Sequence, residues 1–277
     1  MLMRPPSSSK DVRRIPSTHT RLDCLLVERG YFISREKAQR AILAGLVCVR
    51  GQRASKSGSR VSRDIEIVVA QKDRYVSRGG LKLEAALQYF HIDVEDVVCL
   101  DIGASTGGFT DCLLKHGARL VYAVDVGYGQ LDWSLRNDSR VILREKTNAR
   151  HLRVDEFSLP IELVAIDVSF ISLTCILPVV AKIAEAQSQC SHSNPLAQNR
   201  RKIIIFLIKP QFELDRYEVS RGGGIIRDDT ARNRAIHKIQ EFAVNKLPEW
   251  HWEGFLSSPI LGAKGNQEYL GCLILDQ

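Results

Sequence analysis

Apolar positions follow two different patterns, one on each side of residue 70. From residue 97 onward, short apolar runs alternate with longer amphipathic stretches, which is typical of strands and helices that build one sheet. Seven strands are predicted, at residues 97–102, 120–125, 140–143, 162–167 and 203–208, and near 252–257 and 268–275. Since helical stretches separate most of these strands, we expect an α/β domain with a parallel sheet covered on both faces.

The segment before residue 70 predicts a smaller α+β module. Apolar residues three or four positions apart predict two short helices, which Gly30 and Gly45 end. Short strand-like runs follow at 46–49 and 65–69, and a loop rich in Gly, Ser and Arg separates them. The pattern therefore predicts a small domain distinct from the α/β part.

Polar segments complete the predicted organisation. Residues 1–20 are rich in Ser, Pro and basic residues without an apolar period, which indicates a disordered basic extension. The stretch 71–76 is interpreted as a linker between the small domain, 21–70, and the α/β domain, 77–277. Within the α/β domain, the polar stretch 187–201 is predicted to be an inserted surface loop.

The distribution of charge along the chain indicates a kind of partner for the small domain. The chain carries a formal net charge of +7, and the excess of Lys and Arg lies within residues 1–63. Basic residues gathered on a small module are the electrostatic footprint of a protein that binds a polyanion. Nucleic acid is the favoured partner, and an anionic membrane surface is the weaker alternative.

Other compositional features argue against several classes of protein. The longest apolar run, 203–208, is far shorter than the roughly 20 residues that a membrane helix needs, and no signal-peptide core is visible. The 7 cysteines form no C-x-x-C pair, which argues against a disulfide framework and against a zinc site. We therefore expect a cytoplasmic protein with no membrane segment and no metal.

The segment 97–110, VVCLDIGASTGGFT, is the first candidate for chemistry. An apolar strand runs into a Gly-rich turn and a helix start, so a ligand can lie against bare backbone beside donor N–H groups. The spacing G-A-S-T-G-G differs from the dinucleotide fingerprint G-x-G-x-x-G. Asp125 closes the next apolar run about 20 residues after Gly103, where a carboxylate can bind ribose hydroxyls. An ordinary strand-to-helix turn also uses glycine, but Asp125 favours a nucleotide-like ligand such as S-adenosylmethionine.

Four ionisable residues are predicted to meet at one edge of the sheet, because the carboxyl ends of parallel strands share that edge. Asp167 and Lys209 each follow an apolar run, Glu268 enters the last run, and Lys82 lies on the helix before the first strand. Singly, each has a structural explanation as a helix cap or a solvated charge. Together, two lysines and two carboxylates suit proton removal from an alcohol. Whether Lys209 would act as the base or as a fixed charge is left open.

The small domain resembles an RNA-binding domain first known from a small-subunit ribosomal protein. The resemblance rests on RLDCLLVERGYFISREKAQRAILAGLVCVRG, with a leading R-L-D, an S-R-E-K-A helix start and then G-L-V-x-V-x-G. It covers residues 21 to about 69 and implies binding of structured RNA, mainly through backbone and shape. By the same resemblance, Arg21, Arg35 and Lys56 would contact RNA.

Residues 21–277 as a whole resemble the TlyA family, whose members are named haemolysins or ribosomal RNA 2′-O-ribose methyltransferases and whose catalytic domain is of the FtsJ type. The matching segments are YVSRGGLKLEAAL, LDIGASTGGFTDCLL, AVDVGYGQLDWSLRNDSRV, TNAR, DVSFISL, LIKPQFE, GGGIIRD and GNQEYL. The resemblance implies a Rossmann-like, S-adenosylmethionine-dependent methyltransferase. Its substrate would be the ribose 2′-hydroxyl of a cytidine in ribosomal RNA or ribosomal subunits.

The same resemblance assigns site residues position by position. The family's catalytic Lys-Asp-Lys-Glu tetrad falls on Lys82, Asp167, Lys209 and Glu268, the four residues that the strand ends also select. The implied cofactor-binding residues are Asp101, Gly103, Ala104, Ser105, Thr106, Gly107, Gly108, Phe109, Asp125 and Asn148. No metal is implied, and the sequence carries no prediction of oligomeric state.

Three alternative functions fit the sequence less well. A membrane-damaging haemolysin needs an amphipathic or spanning apolar segment, and the sequence shows none. A non-catalytic RNA-binding protein of ribosome assembly would have no need of an intact Gly-rich loop and tetrad. A pseudouridine synthase can carry the same RNA-binding module, but the Gly-rich loop then has no purpose.

Overall fold

The computed structural model describes residues 18–69, 74–186 and 201–276. The chain divides into two compact units, Met1–Lys72 and Asp73–Gln277, and the division falls inside the stretch 71–76. Three predicted segments lie partly outside the described residues: the extension up to residue 17, the linker up to residue 73, and the inserted loop up to residue 200.

Two helices and two small sheets form the first unit. The elements are β1 (His19–Arg21), α1 (Leu22–Glu28), α2 (Arg35–Leu43), β2 (Val47–Val49), β3 (Gln52–Arg53), β4 (Arg60–Ser62) and β5 (Ile67–Val69). β1 pairs with β4, while β3, β2 and β5 form a second antiparallel sheet. Ser34 caps α2 by accepting a hydrogen bond from the Lys37 N–H at 3.3 Å. The core is built from apolar side chains of both helices and the strands, among them Leu26, Ile42 and Val47.

The first unit contains more strands than the sequence predicts. The Gly-, Ser- and Arg-rich stretch predicted to be a loop contains β3 and β4. β4 pairs with β1 along its whole length, and Val61 in its centre is buried. His19 and Thr20 belong to β1, so the prediction of disorder for residues 1–20 is wrong at these two positions. Strands this short depend on a tertiary partner, which the local pattern of apolar residues does not show.

The second unit is a seven-stranded sheet with helices on both faces, and all seven predicted strands are present. Its elements are α3 (Gly79–Tyr89), β6 (Val98–Ile102), α4 (Gly108–Lys115), β7 (Leu120–Val124), α5 (Trp133–Arg136), β8 (Val141–Arg144), β9 (Leu163–Ile166), α6 (Leu177–Ala186), β10 (Lys202–Ile208), α7 (Pro210–Glu213), α8 (Arg216–Arg221), α9 (Asp229–Lys246), β11 (His251–Ser257) and β12 (Tyr269–Leu275). The strand order in the sheet is β11-β12-β10-β9-β6-β7-β8.

The direction of β12 departs from the predicted parallel sheet. β12 pairs antiparallel with both β10 and β11, whereas the strands β10, β9, β6, β7 and β8 are parallel to one another. The connection from β11 to β12, residues 258–268, contains no α-helix and is too short for a parallel crossover. The start of β12 therefore lies at the edge of the sheet where β10 ends, with Tyr269 opposite Ile208.

Alternate residues of the central strands face two different apolar layers. On one face, Leu100, Ile166 and Phe206 pack with side chains of α6 and α9. On the other face, Cys99 and Ala165, with further strand residues, pack with side chains of α3 and α4. Burial on both faces explains why the strands read as continuous apolar runs. Over the described ranges, no helix is both long enough and apolar enough to cross a membrane.

Candidate active site

The Gly-rich loop connects β6 to α4 and passes close to the end of β9. A Cβ atom at Gly103, where φ is +86°, would lie 2.4 Å from the Asp167 carbonyl oxygen, so only glycine permits this approach. Gly107, with φ +97°, serves a different purpose, because a Cβ there would lie 2.2 Å from the side chain of Leu135. Gly103 thus brings the loop backbone to the strand ends, while Gly107 allows the loop to pack against α5.

Two cavities meet at this loop. The first, the Asp125 cavity, has a volume of about 630 Å³, and the second, the Lys82 cavity, has a volume of about 410 Å³. Gly103, Ser105 and Asp167 line both. The Asp125 cavity is also lined by Val126, Gln130, Thr147, Asn148, Arg150, Ser169 and Phe170, among others. The Lys82 cavity is also lined by Ser77, Arg78, Gly79, Ala104, Thr106, Gly108, Phe109, Ile260, Leu261 and Gly262.

The predicted cofactor-binding residues are distributed between the two cavities. Asp125 and Asn148 line the first cavity, whereas Ala104, Thr106, Gly108 and Phe109 line the second. Neither cavity is lined by Asp101 or Gly107. The structure therefore brings most of the predicted residues together around the loop, but on two sides of it.

Asp125 fixes the conformation of the loop beside its cavity. One carboxylate oxygen accepts a hydrogen bond from the Ser105 N–H at 2.7 Å, and the other accepts one from the Gly127 N–H at 2.6 Å. A carboxylate oxygen has two lone pairs, so each retains capacity for a ligand hydroxyl. Asn148 holds its own turn by accepting a hydrogen bond from the Arg150 N–H at 3.1 Å.

The four predicted catalytic residues form two short ion pairs at the same edge of the sheet. Lys209 Nζ lies 2.6 Å from Asp167 Oδ1, and Lys82 Nζ lies 2.6 Å from Glu268 Oε2. Lys82 and Asp167 line the same cavity, so one member of each pair reaches it. Glu268 reaches this edge because β12 runs in the opposite direction to its neighbours. Gly262 makes room for it, since a Cβ there would lie 1.9 Å from Glu268 Oε1.

Two further polar residues, Ser169 and Glu213, hold the loops that carry this constellation, although no periodic sequence pattern singles them out. Lys209 Nζ also donates to Ser169 Oγ at 2.9 Å. Glu213, buried at the end of α7, accepts hydrogen bonds from Ser172 Oγ at 2.5 Å and from the Leu173 N–H at 2.8 Å. Burial raises the pKa of Glu213. Both residues lie in segments that match the TlyA family, DVSFISL and LIKPQFE, and this match is the signal in the sequence that points to them.

Asp101 is a buried carboxylate beneath the loop. One of its oxygens accepts a hydrogen bond from Thr110 Oγ1 at 2.6 Å, and the other is buried without a hydrogen-bond partner among the described residues. Burial raises the pKa of Asp101 to about 7, and the nearby carboxylates of Asp167 and Asp125 add to the effect. A carboxylate buried in this way destabilises the free protein when it is ionised.

Replacing Asp101 by Asn is expected to stabilise the ligand-free protein considerably more at pH 8 than at pH 5. Because the folded-state pKa is raised to about 7 from 3.8, the folded state holds this proton more tightly, and stability falls as pH rises between these values. At pH 8 the gain in the free energy of unfolding could reach about 4 kcal/mol. Urea unfolding at both pH values tests this, with the exposed Asp155→Asn as control. An equal change at both pH values would point to altered packing instead.

The predicted RNA contacts gather on one side of the first unit. Arg21 and Arg35 both pair with the buried carboxylate of Asp23, at 2.9 and 3.3 Å. Lys56 is exposed on the turn before β4, and this turn is hydrogen-bonded to the start of α1 through the Leu22 and Asp23 N–H groups. The three side chains, far apart in sequence, thus belong to neighbouring parts of one small surface.

Comparison with known proteins agrees with both units. Residues 75–275 match the FtsJ-like methyltransferase family, and residues 20–67 match the S4 domain. Hemolysin A of Brachyspira hyodysenteriae is 46% identical, over 92% of this chain and 100% of that protein. The 16S/23S rRNA (cytidine-2′-O)-methyltransferase TlyA of Mycobacterium tuberculosis is 42% identical, over 90% of this chain and 87% of that protein.

The chain belongs to the TlyA family of FtsJ-like methyltransferases. The predicted resemblance, fold class and enzyme class are thereby confirmed, and a solved structure agrees. That structure, from Streptococcus thermophilus and provisionally named a hemolysin, has 41% identity and a TM-score of 0.66, covering 94% of this chain and 90% of that one. TlyA-family relatives of similar identity carry either a hemolysin or a methyltransferase name, so the name alone does not separate the two activities.

Proposed function

We propose that this protein transfers a methyl group from S-adenosylmethionine to a ribose 2′-hydroxyl of ribosomal RNA, at a cytidine. The observation that carries the proposal is the meeting of two cavities at Asp167, beside two Lys–carboxylate pairs. A transferase needs a donor and an acceptor on either side of one point, held in line. The Asp125 cavity suits the donor, and the Lys82 cavity suits the nucleotide.

The Asp125 cavity has the features that a nucleoside cofactor requires. Gly103 leaves the loop backbone bare where a side chain would collide with Asp167. Asp125 offers carboxylate oxygens for ribose hydroxyls, and Asn148 lines the same cavity. When bound, S-adenosylmethionine supplies a methyl group already activated by its sulfonium. The protein's remaining task is to position the attacking oxygen and manage its proton.

Lys82, Lys209 and their carboxylate partners fit that task. Lys82 lines the acceptor cavity, and Glu268 holds its ammonium at 2.6 Å. Asp167 and Ser169 hold the Lys209 ammonium through two of its three donors, which leaves a third for a substrate oxygen. Lys209 is thus placed either to stabilise the developing alkoxide or to take the proton, while Asp167 orients it.

Ribosomal RNA as substrate is supported by the first unit and by the relatives. The S4 domain carries the basic residues, and structured RNA is bound through phosphates and shape. Named relatives act on rRNA cytidines: the Mycobacterium tuberculosis protein on 16S and 23S rRNA, and the Campylobacter jejuni protein on 23S rRNA. Action on ribosomes would place the protein in the cytoplasm.

Mapping of rRNA 2′-O-methylation by mass spectrometry tests the proposal. Ribosomal RNA from cells that lack the protein should miss methylation at one or more cytidines, and expression of the wild-type chain should restore it. The Asp167→Ala variant should not restore it, since the Lys209 ammonium loses its partner. Identical methylation of 16S and 23S rRNA with and without the protein would refute the proposed substrate.

A further inference from the structure

Asp23 is a buried carboxylate beneath two of the arginines expected to contact RNA. It lies in the first turn of α1, and its side chain is 0% exposed. Its oxygens accept hydrogen bonds from Arg21, Arg35, Gln39 and the Cys24 N–H. A buried charge is tolerated only when it is paired and hydrogen-bonded, and this one is saturated. Hydrogen bonds from Arg21 hold the pKa of Asp23 well below its usual range, so it is charged at neutral pH.

The two guanidinium groups are held differently, but both remain accessible. Arg21 donates to Asp23 through Nε at 3.0 Å and through one terminal nitrogen at 2.9 Å, which leaves its other terminal nitrogen for a ligand. Arg35 donates through one terminal nitrogen at 3.3 Å. The Arg21 side chain is 45% exposed and the Arg35 side chain 56% exposed. Gln39, one turn along α2 from Arg35, donates at 2.7 Å and fixes the carboxylate from the same helix.

The turn that carries Lys56 is attached to the same cluster. The Leu22 and Asp23 N–H groups donate to the carbonyl oxygens of Ser59 and Ser57, at 2.9 and 3.1 Å. A Cβ atom at Gly58 would lie 3.1 Å from a terminal nitrogen of Arg21, so the guanidinium lies directly against the backbone of this turn. Asp23 therefore sits where α1, α2 and the turn come together.

We propose that Asp23 is a positioning residue that holds the guanidinium groups of Arg21 and Arg35 as a fixed pair for the phosphates of RNA. The proposal rests on the rRNA substrate of the proposed function and adds a residue that does not itself touch RNA. Arginine side chains lose much conformational freedom on binding, and fixing them beforehand removes that cost. The geometry of a guanidinium fork, set by a carboxylate, suits the planar recognition of phosphate oxygens.

The Asp23→Asn variant tests the proposal, because a positioning role and a simple effect of net charge predict opposite changes in affinity for RNA. Removing a negative charge beside an RNA-binding surface should tighten binding if only the net charge matters. If Asp23 positions the arginines, affinity for in vitro transcribed 16S and 23S rRNA should instead fall by about 10-fold, the scale of one or two lost charge-assisted hydrogen bonds. Glu36→Gln is the matched control, since Glu36 is exposed in the first turn of α2 and its loss changes charge equally. Unchanged or tighter binding by the Asp23→Asn variant would overturn the proposal.

Arg21→Lys keeps the inference testable if Asp23→Asn unfolds the first unit. Lysine retains the charge but cannot form the fork with Asp23, so we expect a similar loss of affinity and an unchanged dependence of binding on salt. In the full-length enzyme, we expect KM for rRNA to rise and kcat to stay unchanged. The effects of Asp23→Asn and Arg21→Ala should be less than additive in the double variant, because both remove the same contact. Full affinity in the Arg21→Lys variant would overturn the proposal.

The same measurements separate this inference from the proposed function. If Arg21→Ala and Lys56→Ala weaken rRNA binding while Asp23→Asn and Arg21→Lys do not, the docking surface stands and the role of Asp23 is refuted. If none of the four changes affects rRNA binding, the first unit is not the docking element and both proposals fail on this point.

Discussion

Lys209→Ala should lower the rate of methyl transfer by about three orders of magnitude or more, while binding of S-adenosylmethionine and rRNA stays nearly unchanged. The ammonium contacts Asp167, which lines both cavities, and Ser169, which lines the Asp125 cavity. Under the proposed function, charge develops on the attacking oxygen beside this contact. An interaction made only in the transition state affects kcat rather than binding. Single-turnover kinetics with tritiated S-adenosylmethionine, together with calorimetry, measures both quantities. Lys246→Ala, an exposed change at the end of α9, is the control.

Lys209→Arg distinguishes the two roles that the geometry allows. A guanidinium keeps its charge at ordinary pH and cannot accept a proton, so a base at this position cannot be replaced by arginine. Loss of activity comparable to that of the Ala variant supports the base. Substantial activity would show that Lys209 acts as a fixed charge, and proton removal would then pass to Asp167, Glu268 or water.

Removal of residues 1–72 should reduce affinity for rRNA by about 100-fold or more and leave cofactor binding intact. Among the residues that the structure describes, those lining the two cavities all belong to the second unit, which has its own two apolar layers. The removed unit holds the basic side chains expected to contact phosphates, so the dependence of binding on salt should also flatten. Filter binding over a range of salt concentrations tests this, with calorimetry of S-adenosylmethionine as the internal control. If residues 73–277 methylate rRNA as efficiently as the whole chain, the first unit is not the docking element.

The sequence predicted the sheet well because its central strands are buried on both faces. Apolar runs mark β6, β7, β9, β10 and β12, and the ends of β9 and β10 placed Asp167 and Lys209 at one edge. The period of apolar residues carries no information on strand direction, so the reversal of β12 was not predicted. That reversal is nevertheless what brings Glu268 to Lys82.

Other features escaped prediction because they depend on contacts between distant segments. β1 and β4 form only by pairing with each other, across about forty residues of sequence. Ser169 and Glu213 are polar residues in short connections, where no periodicity distinguishes a positioning residue from a solvated one. The glycines of the loop were predicted as ligand contacts, yet Gly107 is required by packing against α5. The catalytic and binding roles of the site residues stay predictions.

The reversed strand also bears on the order in which the active site is assembled. β12 lies between β10 and β11, although it follows both along the chain. Until β12 enters, both neighbours have unpaired edges, and Glu268 cannot meet Lys82, which is 186 residues away in sequence. A chain growing on a ribosome would hold Lys82, Asp167 and Lys209 long before it holds the fourth member. Under the proposed function, the acceptor side of the active site is therefore complete only after β12 has paired with β10 and β11.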